Sequence, residues 1–184
     1  MSVLISLFLL LVSVVLTFGL IIILILLLRD QLKVKVPFVP TRKRALAPIV
    51  QALEIKPGDV IFDLGCGDGR ILRAVSKSVS GIRAVGVERG VIPYLVSSLL
   101  NRGTDIETRF CDLTEVNLGE ATHIYCYLFP ELMNILEPKI IREASKGTQI
   151  VACDYKFPTL PPKEVIPMTT KAHDLARTLY VYEM

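Results

Sequence analysis

The stretch from Val60 to Arg70, VIFDLGCGDGR, restricts the fold of this chain more than any other. It begins with an apolar run rich in β-branched and aromatic side chains, which indicates a buried strand. The run stops at three glycines in alternate positions, Gly65, Gly67 and Gly69, and a helix-like pattern starts at Arg70. A strand, a glycine turn and a helix open a βαβ unit, and the missing Cβ atoms let a ligand approach the turn. The sequence therefore predicts a binding site here.

Glycine spacing and one acid narrow the choice of ligand. A dinucleotide fingerprint needs G-x-G-x-x-G, with the pyrophosphate on the helix N-terminus. Here the spacing is G-x-G-x-G, and Asp63 at the strand end would repel a pyrophosphate and attract an ammonium group. The segment resembles motif I of the class I S-adenosylmethionine (SAM) methyltransferases, D-x-G-x-G-x-G. The resemblance implies that SAM is the cofactor and that the turn binds it through Asp63, Gly65, Cys66, Gly67, Asp68 and Gly69.

Two more acids follow the next two predicted strands. The strand from Ile82 to Val87 ends in Glu88, where an acid can accept hydrogen bonds from ribose hydroxyls. The strand from Ile106 to Phe110 precedes Asp112 and Leu113, which the resemblance places beside the adenine. Other interpretations stay open: Glu88 as an ordinary exposed glutamate, and Asp112 as a loop acid that caps the next turn.

A proline-bounded element, PFVPT at 37–41, leads into the predicted domain. Its prolines exclude a helix, and Thr41 stands at the N-cap position of a helix predicted from Arg42 to Leu53. Together with the GCGDGR turn, the element is similar to the mitochondrial lysine methyltransferases that modify the ATP synthase c-subunit and the adenine nucleotide translocase. This narrower resemblance covers about residues 36 to 160 and places Pro40 and Thr41 over the cofactor. A rigid linker is the alternative.

The resemblance places the methyl group at the end of the fourth predicted strand, Thr122 to Leu128. Many N-methyltransferases carry N-P-P-Y or D-P-P-Y there, and this chain has YLFP instead, which weakens the case for amide and nucleobase acceptors. A lysine amine must lose its proton before it attacks, and a partly apolar pocket helps it to do so. Tyr125 is interpreted as core packing, and Asp154 replaces a basic residue of the similar enzymes. The candidate catalytic residues are Tyr127, Phe129 and Pro130.

The N-terminus predicts a membrane anchor. Val3 to Leu28 contains no charged residue and no proline, and at about 1.5 Å per residue it forms roughly 39 Å of helix, enough to cross a bilayer core. Met1-Ser2 lacks the basic start of a signal peptide, and no small-residue cleavage site follows. The predicted parts are an anchor (1–30), a juxtamembrane basic segment with the entry helix (31–54) and a methyltransferase domain (55–184).

Charge and cysteine usage bear on partners and location. Residues 29–44 carry six basic side chains and one acid, a net of +5, and the whole chain is +3, so the remainder is −2. A domain without a basic face is not typical of nucleic-acid binding, whereas basic residues beside a span favour the cytoplasmic or matrix side. The basic cluster either contacts anionic lipid or only sets topology. Four cysteines without a C-x-x-C pair, and two histidines, predict no metal site.

Alternating strands and helices predict the architecture. Five apolar strands and a closing pair indicate a Rossmann-like class I methyltransferase sandwich, an α/β fold with a mostly parallel seven-stranded sheet, preceded by one transmembrane helix. A helix from Val91 to Asn101 has Leu95, Leu99 and Leu100 on its apolar side. Another helix, from Glu131 to Glu143, is interrupted or shifted at Pro138. The alternation over residues 179–182 is typical of an edge strand.

These features together predict a membrane-anchored SAM-dependent methyltransferase. The first acceptor is a lysine on a membrane-associated protein, which follows from the resemblance and from the anchor, because an anchor raises the effective concentration at the bilayer. Two alternatives stay open: a lipid or lipophilic small molecule as acceptor, and a non-catalytic anchored scaffold. A scaffold would not need the three acids and the full glycine turn.

Overall fold

The computed structural model describes residues 2–33, 40–168 and 176–184. The chain divides into two compact units, residues 1–37 and 38–184. Residues 37–39 of the entry element and His173 lie outside the described residues. The placement of the first half of that entry element therefore stays a prediction.

A single long helix makes up the described part of the first unit. It is α1 (Ser2–Lys33), and its stretch from Val3 to Ile25 is long and apolar enough to cross a membrane. All the large apolar side chains described on this stretch are exposed. By length and composition, α1 is a candidate membrane span.

The second unit is a seven-stranded sheet with helices on both faces. The strand order is β3-β2-β1-β4-β5-β7-β6; the pairings from β3 to β5 are parallel, and β7 runs antiparallel to both of its neighbours. This is the fold predicted from the sequence. The elements are α2 (Lys43–Ala52), β1 (Val60–Leu64), α3 (Arg70–Ser78), β2 (Arg83–Glu88), α4 (Val91–Leu100), β3 (Ile106–Phe110), β4 (His123–Cys126), α5 (Pro130–Glu143), β5 (Gln149–Cys153), β6 (Glu164–Pro167) and β7 (Thr178–Glu183).

Successive residues of β1 supply two separate cores. Ile61 packs with α2 and α3 on one face of the sheet, while Phe62 and Leu64 pack with α5 on the other. Side chains alternate between the faces of a strand, so a strand buried on both sides reads as a nearly continuous apolar run. That is why the β1 sequence predicts a central strand.

Three local predictions need correction. The N-cap of α2 is Arg42, with extended backbone and no capping side chain, and Thr41 is buried instead. Strand β7 is not an edge strand: it lies between β5 and β6, because the short β6 pairs with its free side. Helix α5 begins at Pro130, where a missing N–H costs nothing, and it runs on through Pro138.

Helix α4 has the predicted apolar side, but that side faces outward. Leu95, Leu99 and Leu100 are 57%, 70% and 50% exposed, whereas Ser97 is fully buried. Asn101, one turn after Ser97, is also buried, and its amide donates a hydrogen bond to the Ser97 hydroxyl at 3.1 Å. The inner side of this helix is therefore small and polar.

Candidate active site

The candidate site lies where the central parallel strands end. Leu64 at the end of β1 is paired with Val87 of β2 on one side and with Cys126 of β4 on the other. The carboxyl ends of parallel strands share one edge of a sheet, and open α/β sheets bind ligands outside that edge. This register brings the residues that follow β1, β2 and β4 to the same edge.

The glycine turn after β1 requires its glycines. Gly65, Gly67 and Gly69 have φ angles of +82°, +57° and +75°, a region that side chains with a Cβ rarely adopt. Space is also short, because a Cβ on Gly65 would lie 2.9 Å from Leu128 Cδ2 and one on Gly69 would lie 2.7 Å from Ser97 Oγ. The turn is therefore held close to β4 and to α4.

Two arginines hold the next acid of the turn. The guanidinium of Arg70 binds both carboxylate oxygens of Asp68, at 2.9 and 2.8 Å, and Arg73 lies 3.7 Å away. These partners lower the pKa of Asp68 despite its partial burial. Arg70 also donates to the Thr41 carbonyl at 2.6 Å, so Thr41 is fixed to the turn. Asp68 thus stabilises the turn through its ion pair, and Thr41 lies beside it.

Asp63 is buried at the end of β1 with one carboxyl oxygen unsatisfied. Its side chain is 2% exposed, and Oδ2 has no hydrogen-bond partner among the described residues. Burial, followed by the nearby Glu88 and Asp68, raises its pKa well above the usual carboxyl range. A buried carboxyl with an unsatisfied oxygen is costly, so Asp63 is available to a cationic or hydrogen-bond-donating ligand. Burial also raises the pKa of the neighbouring Cys66 thiol, which keeps that thiol protonated.

Glu88 at the end of β2 connects two loops. One carboxylate oxygen accepts the Gly67 N–H at 3.0 Å, and the other accepts the Gly90 N–H at 2.6 Å. Contact of Glu88 with a ribose stays a prediction. Glu88 is therefore more than an ordinary exposed glutamate, because it holds the glycine turn against the start of α4.

Asp112 and Leu113 follow β3 at the same edge of the sheet. Asp112 Oδ1 accepts hydrogen bonds from the Thr114 N–H and hydroxyl at 3.0 and 2.8 Å, and Oδ2 pairs with Arg89 at 3.1 Å. These contacts lower the pKa of Asp112. This acid caps its own loop, as the alternative interpretation had it. Leu113 is buried in the core beneath the loop, and contact of either residue with adenine stays a prediction.

The predicted acceptor side begins just after β4. Tyr127 is half-buried and donates its hydroxyl to Asp154 Oδ2 at 2.9 Å; burial and this acceptor raise its pKa. Phe129, with Pro130 directly after it at the start of α5, stacks on Tyr155 with ring centroids 5.6 Å apart. Tyr125 is 1% exposed and packs in the core, as predicted. Aromatic side chains therefore follow both β4 and β5 at this edge.

Sequence reasoning missed the role of Asp154. Its carboxylate accepts the Tyr127 hydroxyl and three backbone N–H groups, from Ala176, Arg177 and Thr178, at 2.6 to 3.2 Å. Asp154 also has a φ of +62°, which Asp tolerates better than most residues. Its partners come from a distant segment, so no local pattern reveals them.

Ser97 and Asn101 were missed as well, although a signal for them exists. They lie beneath Gly69, where a Cβ would collide with both side chains. Ser97 lies near the end of α4, which has no charged residue, and Asn101 is its C-cap; their i, i+4 spacing marks a polar stripe on the side that packs on the glycine turn.

Comparison with known proteins identifies the family. A family model described as the ANTKMT methyltransferase domain matches residues 63–164, from Asp63 at the end of β1 to the start of β6. The chain belongs to this family. The matched region contains the glycine turn, Glu88, Asp112 and the residues after β4 and β5.

Individual relatives agree with this assignment. A protein-lysine N-methyltransferase of Saccharolobus islandicus is 29% identical over 154 residues, which cover 80% of this chain and 92% of the relative. The human lysine N-methyltransferase of the ATP synthase c-subunit is 32% identical over 139 residues, covering 72% of this chain and 58% of the human protein, less than two thirds of its length. An RNA methyltransferase of Salinibacter ruber, solved with S-adenosylhomocysteine, superposes with a TM-score of 0.70 at 29% identity and covers 79% of this chain and 93% of that one.

As a member of this methyltransferase family, the chain uses SAM as its cofactor. The residues present fit that molecule. Asp63 presents an unsatisfied buried carboxylate oxygen for a donor, and the glycine turn leaves its backbone open to close approach. Within the described ranges, no group of three or more His, Cys, Asp or Glu side chains has the arrangement of a metal site.

Proposed function

We propose that this protein transfers a methyl group from SAM to the side-chain amine of a lysine on a membrane-associated protein. The observation that supports a lysine acceptor is the pair of aromatic rings after β4 and β5, at the sheet edge where the buried Asp63 suits a cationic cofactor. The relatives support it, because several are named as lysine methyltransferases of the ATP synthase c-subunit or of the adenine nucleotide translocase. No N-P-P-Y type element is present to hold a planar amide or base.

In this proposal the turn and the neighbouring acids hold the cofactor. Asp63 and the backbone from Gly65 to Gly69 hold the amino-acid end, Glu88 the ribose, and Asp112 with Leu113 the adenine; Pro40 and Thr41 close over it. SAM supplies an electrophilic methyl group on a sulfonium. The carboxylates of Asp63 and Glu88 give the site the negative charge that attracts a cation.

The residues after β4 prepare the acceptor. Tyr127, Phe129 and Pro130 border a partly apolar channel, and the lysine gives its proton to solvent water as it enters, because burial disfavours the ammonium form. The Tyr127 hydroxyl already donates to Asp154, so its part is to shape the channel rather than to accept the proton. Rate then comes from positioning the amine in line with the methyl group and from excluding water.

In this proposal, helix α1 is the membrane anchor. Its stretch from Val3 to Ile25 anchors the protein, and the basic residues at 29–44 keep the second unit on the cytoplasmic, or matrix, side. An anchored enzyme meets acceptors of the same bilayer at a high effective concentration. This favours a membrane-associated acceptor over a freely diffusing one.

The test is a labelling experiment with the full chain in lipid nanodiscs. Methyl-tritiated SAM is incubated with membrane, soluble and nucleic-acid fractions from the organism that encodes the protein, and labelled protein is hydrolysed to identify methyllysine. Asp63→Asn is the inactive variant. Asp105→Asn is the matched control, because Asp105 is exposed and away from the turn.

We expect label in methyllysine of the membrane fraction with the wild type and Asp105→Asn, and none with Asp63→Asn. Label in a lipid extract would replace the lysine by a lipid acceptor. Ribonuclease-sensitive label would indicate an RNA acceptor, as in the name of the Salinibacter relative. Incorporation in no fraction, with SAM still bound, would favour the anchored scaffold.

A further inference from the structure

The outer side of α4 is an apolar surface next to an exposed ring of β3. We call it the α4 face. Phe110 at the end of β3 is 54% exposed and lies against Tyr94 of α4, with ring centroids 5.0 Å apart. The helix itself contains no charged residue. The exposed apolar side chains of the α4 face are Ile92 (50%), Leu95 (57%), Val96 (40%), Leu99 (70%), Leu100 (50%) and Phe110 (54%).

This orientation is the reverse of an ordinary surface helix, which packs its apolar stripe on the core. The inner positions are taken by Ser97 and Asn101, which contact the glycine turn through the space that Gly69 leaves free. The apolar side chains are therefore excluded from the core by the packing of the site. Contiguous apolar patches of several hundred Å² are uncommon on soluble monomers and mark contact surfaces.

Chain connectivity and charge indicate what covers the α4 face. The second unit follows α1 directly in the chain, so the membrane attachment proposed for α1 keeps this unit near a bilayer. Arg89 stands just before α4, and the exposed Arg102 follows soon after its end. An uncharged apolar helix with basic residues at both ends is the pattern of a helix that lies in the interface plane of an anionic bilayer.

We propose that the α4 face lies in the headgroup–acyl boundary of the same bilayer that α1 crosses. This contact is independent of the methyl acceptor and rests only on the proposed membrane attachment. Leu95 and Leu99, one turn apart, enter the acyl boundary, and Arg102 lies at the level of the lipid phosphates, whereas Arg89 keeps its ion pair with Asp112. A second point of attachment restricts rotation of the second unit about its tether, and the site then keeps one orientation to the membrane.

The chain has no tryptophan, which allows a direct measurement with one tryptophan at a time. Leu99→Trp reports on the α4 face, and Val14→Trp reports on the anchor. Ile141→Trp is the matched control, because Ile141 is 53% exposed on α5, whose buried side belongs to the core on the other face of the sheet. Each full-length variant is placed in nanodiscs of phosphatidylcholine and phosphatidylserine without bromine, with bromine on the acyl chains close to the headgroups to report on Leu99→Trp and Ile141→Trp, or with bromine near the chain ends to report on Val14→Trp, which lies at the middle of the candidate span.

Bromine quenches tryptophan only at close range. We expect Leu99→Trp to lose about half of its emission in brominated discs, as a side chain about 5–10 Å below the headgroups should, and Ile141→Trp to lose almost none. Val14→Trp quenched with Leu99→Trp unquenched would overturn the α4 proposal and leave the anchor intact. Val14→Trp unquenched would overturn the anchor and with it this proposal. Equal quenching at Leu99 and Ile141 would also overturn it, as would concentration-dependent, bromine-independent emission at Leu99, which would assign the α4 face to a second copy.

Discussion

Asp63, near the end of β1, and Asp154, just after β5, lie at the same edge of the sheet, but their surroundings differ. Asp63 at the end of β1 is buried, and its Oδ2 has no partner among the described residues. Asp154, just after β5, accepts hydrogen bonds from the Tyr127 hydroxyl and from three backbone N–H groups. One oxygen of Asp63 therefore lacks a hydrogen-bond donor in the described part of the chain, whereas both oxygens of Asp154 accept hydrogen bonds.

The difference separates binding from structure within one site. An unsatisfied buried acceptor destabilises the unliganded protein and is tolerated where a ligand supplies the missing donor. A satisfied carboxylate contributes to stability and has little capacity left for a ligand. We therefore propose that Asp63 holds the cofactor, whereas Asp154 holds the backbone of residues 176–178.

The largest expected effect is on cofactor affinity in Asp63→Asn. Removing the charge that pairs with the ligand's amino group should weaken SAM binding about a thousandfold, equivalent to about 4 kcal/mol. Isothermal titration of the detergent-solubilised full chain measures this, with Asp105→Asn as control. An affinity within a factor of three of wild type would show that Asp63 does not hold the cofactor.

The next effect is on stability in Asp154→Ala. The change removes the acceptor of four hydrogen bonds and should lower the free energy of unfolding by about 3 kcal/mol, seen as a lower midpoint in urea. Asp154→Asn is the informative partner variant, because Asn tolerates a positive φ and retains one acceptor oxygen. Its loss should be smaller, and equal losses would argue against the hydrogen-bond explanation.

The pH dependence of SAM binding provides a further test of the role of Asp63. The pKa of Asp63 is raised by burial, Glu88 and Asp68, so Asp63 is protonated at pH values where an ordinary carboxyl is ionised. Below that pKa the dissociation constant for SAM should rise about tenfold per pH unit, and Asp63→Asn should lack this slope. A wild-type profile without this slope at pH values above the ordinary carboxyl range would contradict the assignment.

The raised pKa of Asp63 also affects the stability of the protein without SAM. A raised folded-state pKa contributes stability that is present below the unfolded-state pKa and is lost as the pH rises through the folded-state value. The wild type should therefore lose stability with rising pH relative to Asp63→Asn. Thermal melts without SAM across this range provide the check.

The smallest effect is expected for Tyr127→Phe. Only one of the four hydrogen bonds to Asp154 is lost and the ring stays in place, so the free energy of unfolding should fall by about 1 kcal/mol. Methyl transfer should be nearly unchanged if the hydroxyl only supports Asp154. A large fall in kcat with unchanged stability would instead assign the hydroxyl to the reaction.

The sheet and the cofactor side of the site follow from local sequence. Strand β1 packs on a hydrophobic core at each face of the sheet, so its sequence is a nearly continuous apolar run. The three glycines of the turn are required because each of them has a positive φ angle. The position of Glu88 at the end of β2 was predicted because a strand end is easy to locate, and its contact with a ribose stays a prediction. These features depend on residues close together in the chain, which is what a single sequence records.

The features that sequence missed depend on distant partners. Thr41 was predicted as an N-cap, but its carbonyl is bound by Arg70, twenty-nine positions away. The outward direction of the apolar side of α4 depends on Gly69, since only the absence of a Cβ there makes room for Ser97 and Asn101. Asp154 finds its backbone donors in residues 176–178, beyond the reach of a local pattern.

The hydrogen bond from Arg70 to the Thr41 carbonyl has a mechanical consequence. Thr41 lies between the α1 helix and the sheet in the chain, and Arg70 is the first residue of α3, directly after the glycine turn. A displacement of Thr41 therefore acts on the residue that directly follows the glycine turn. Under the proposed membrane attachment and cofactor site, tension in the N-terminal segment and the fit of SAM would act on this one hydrogen bond.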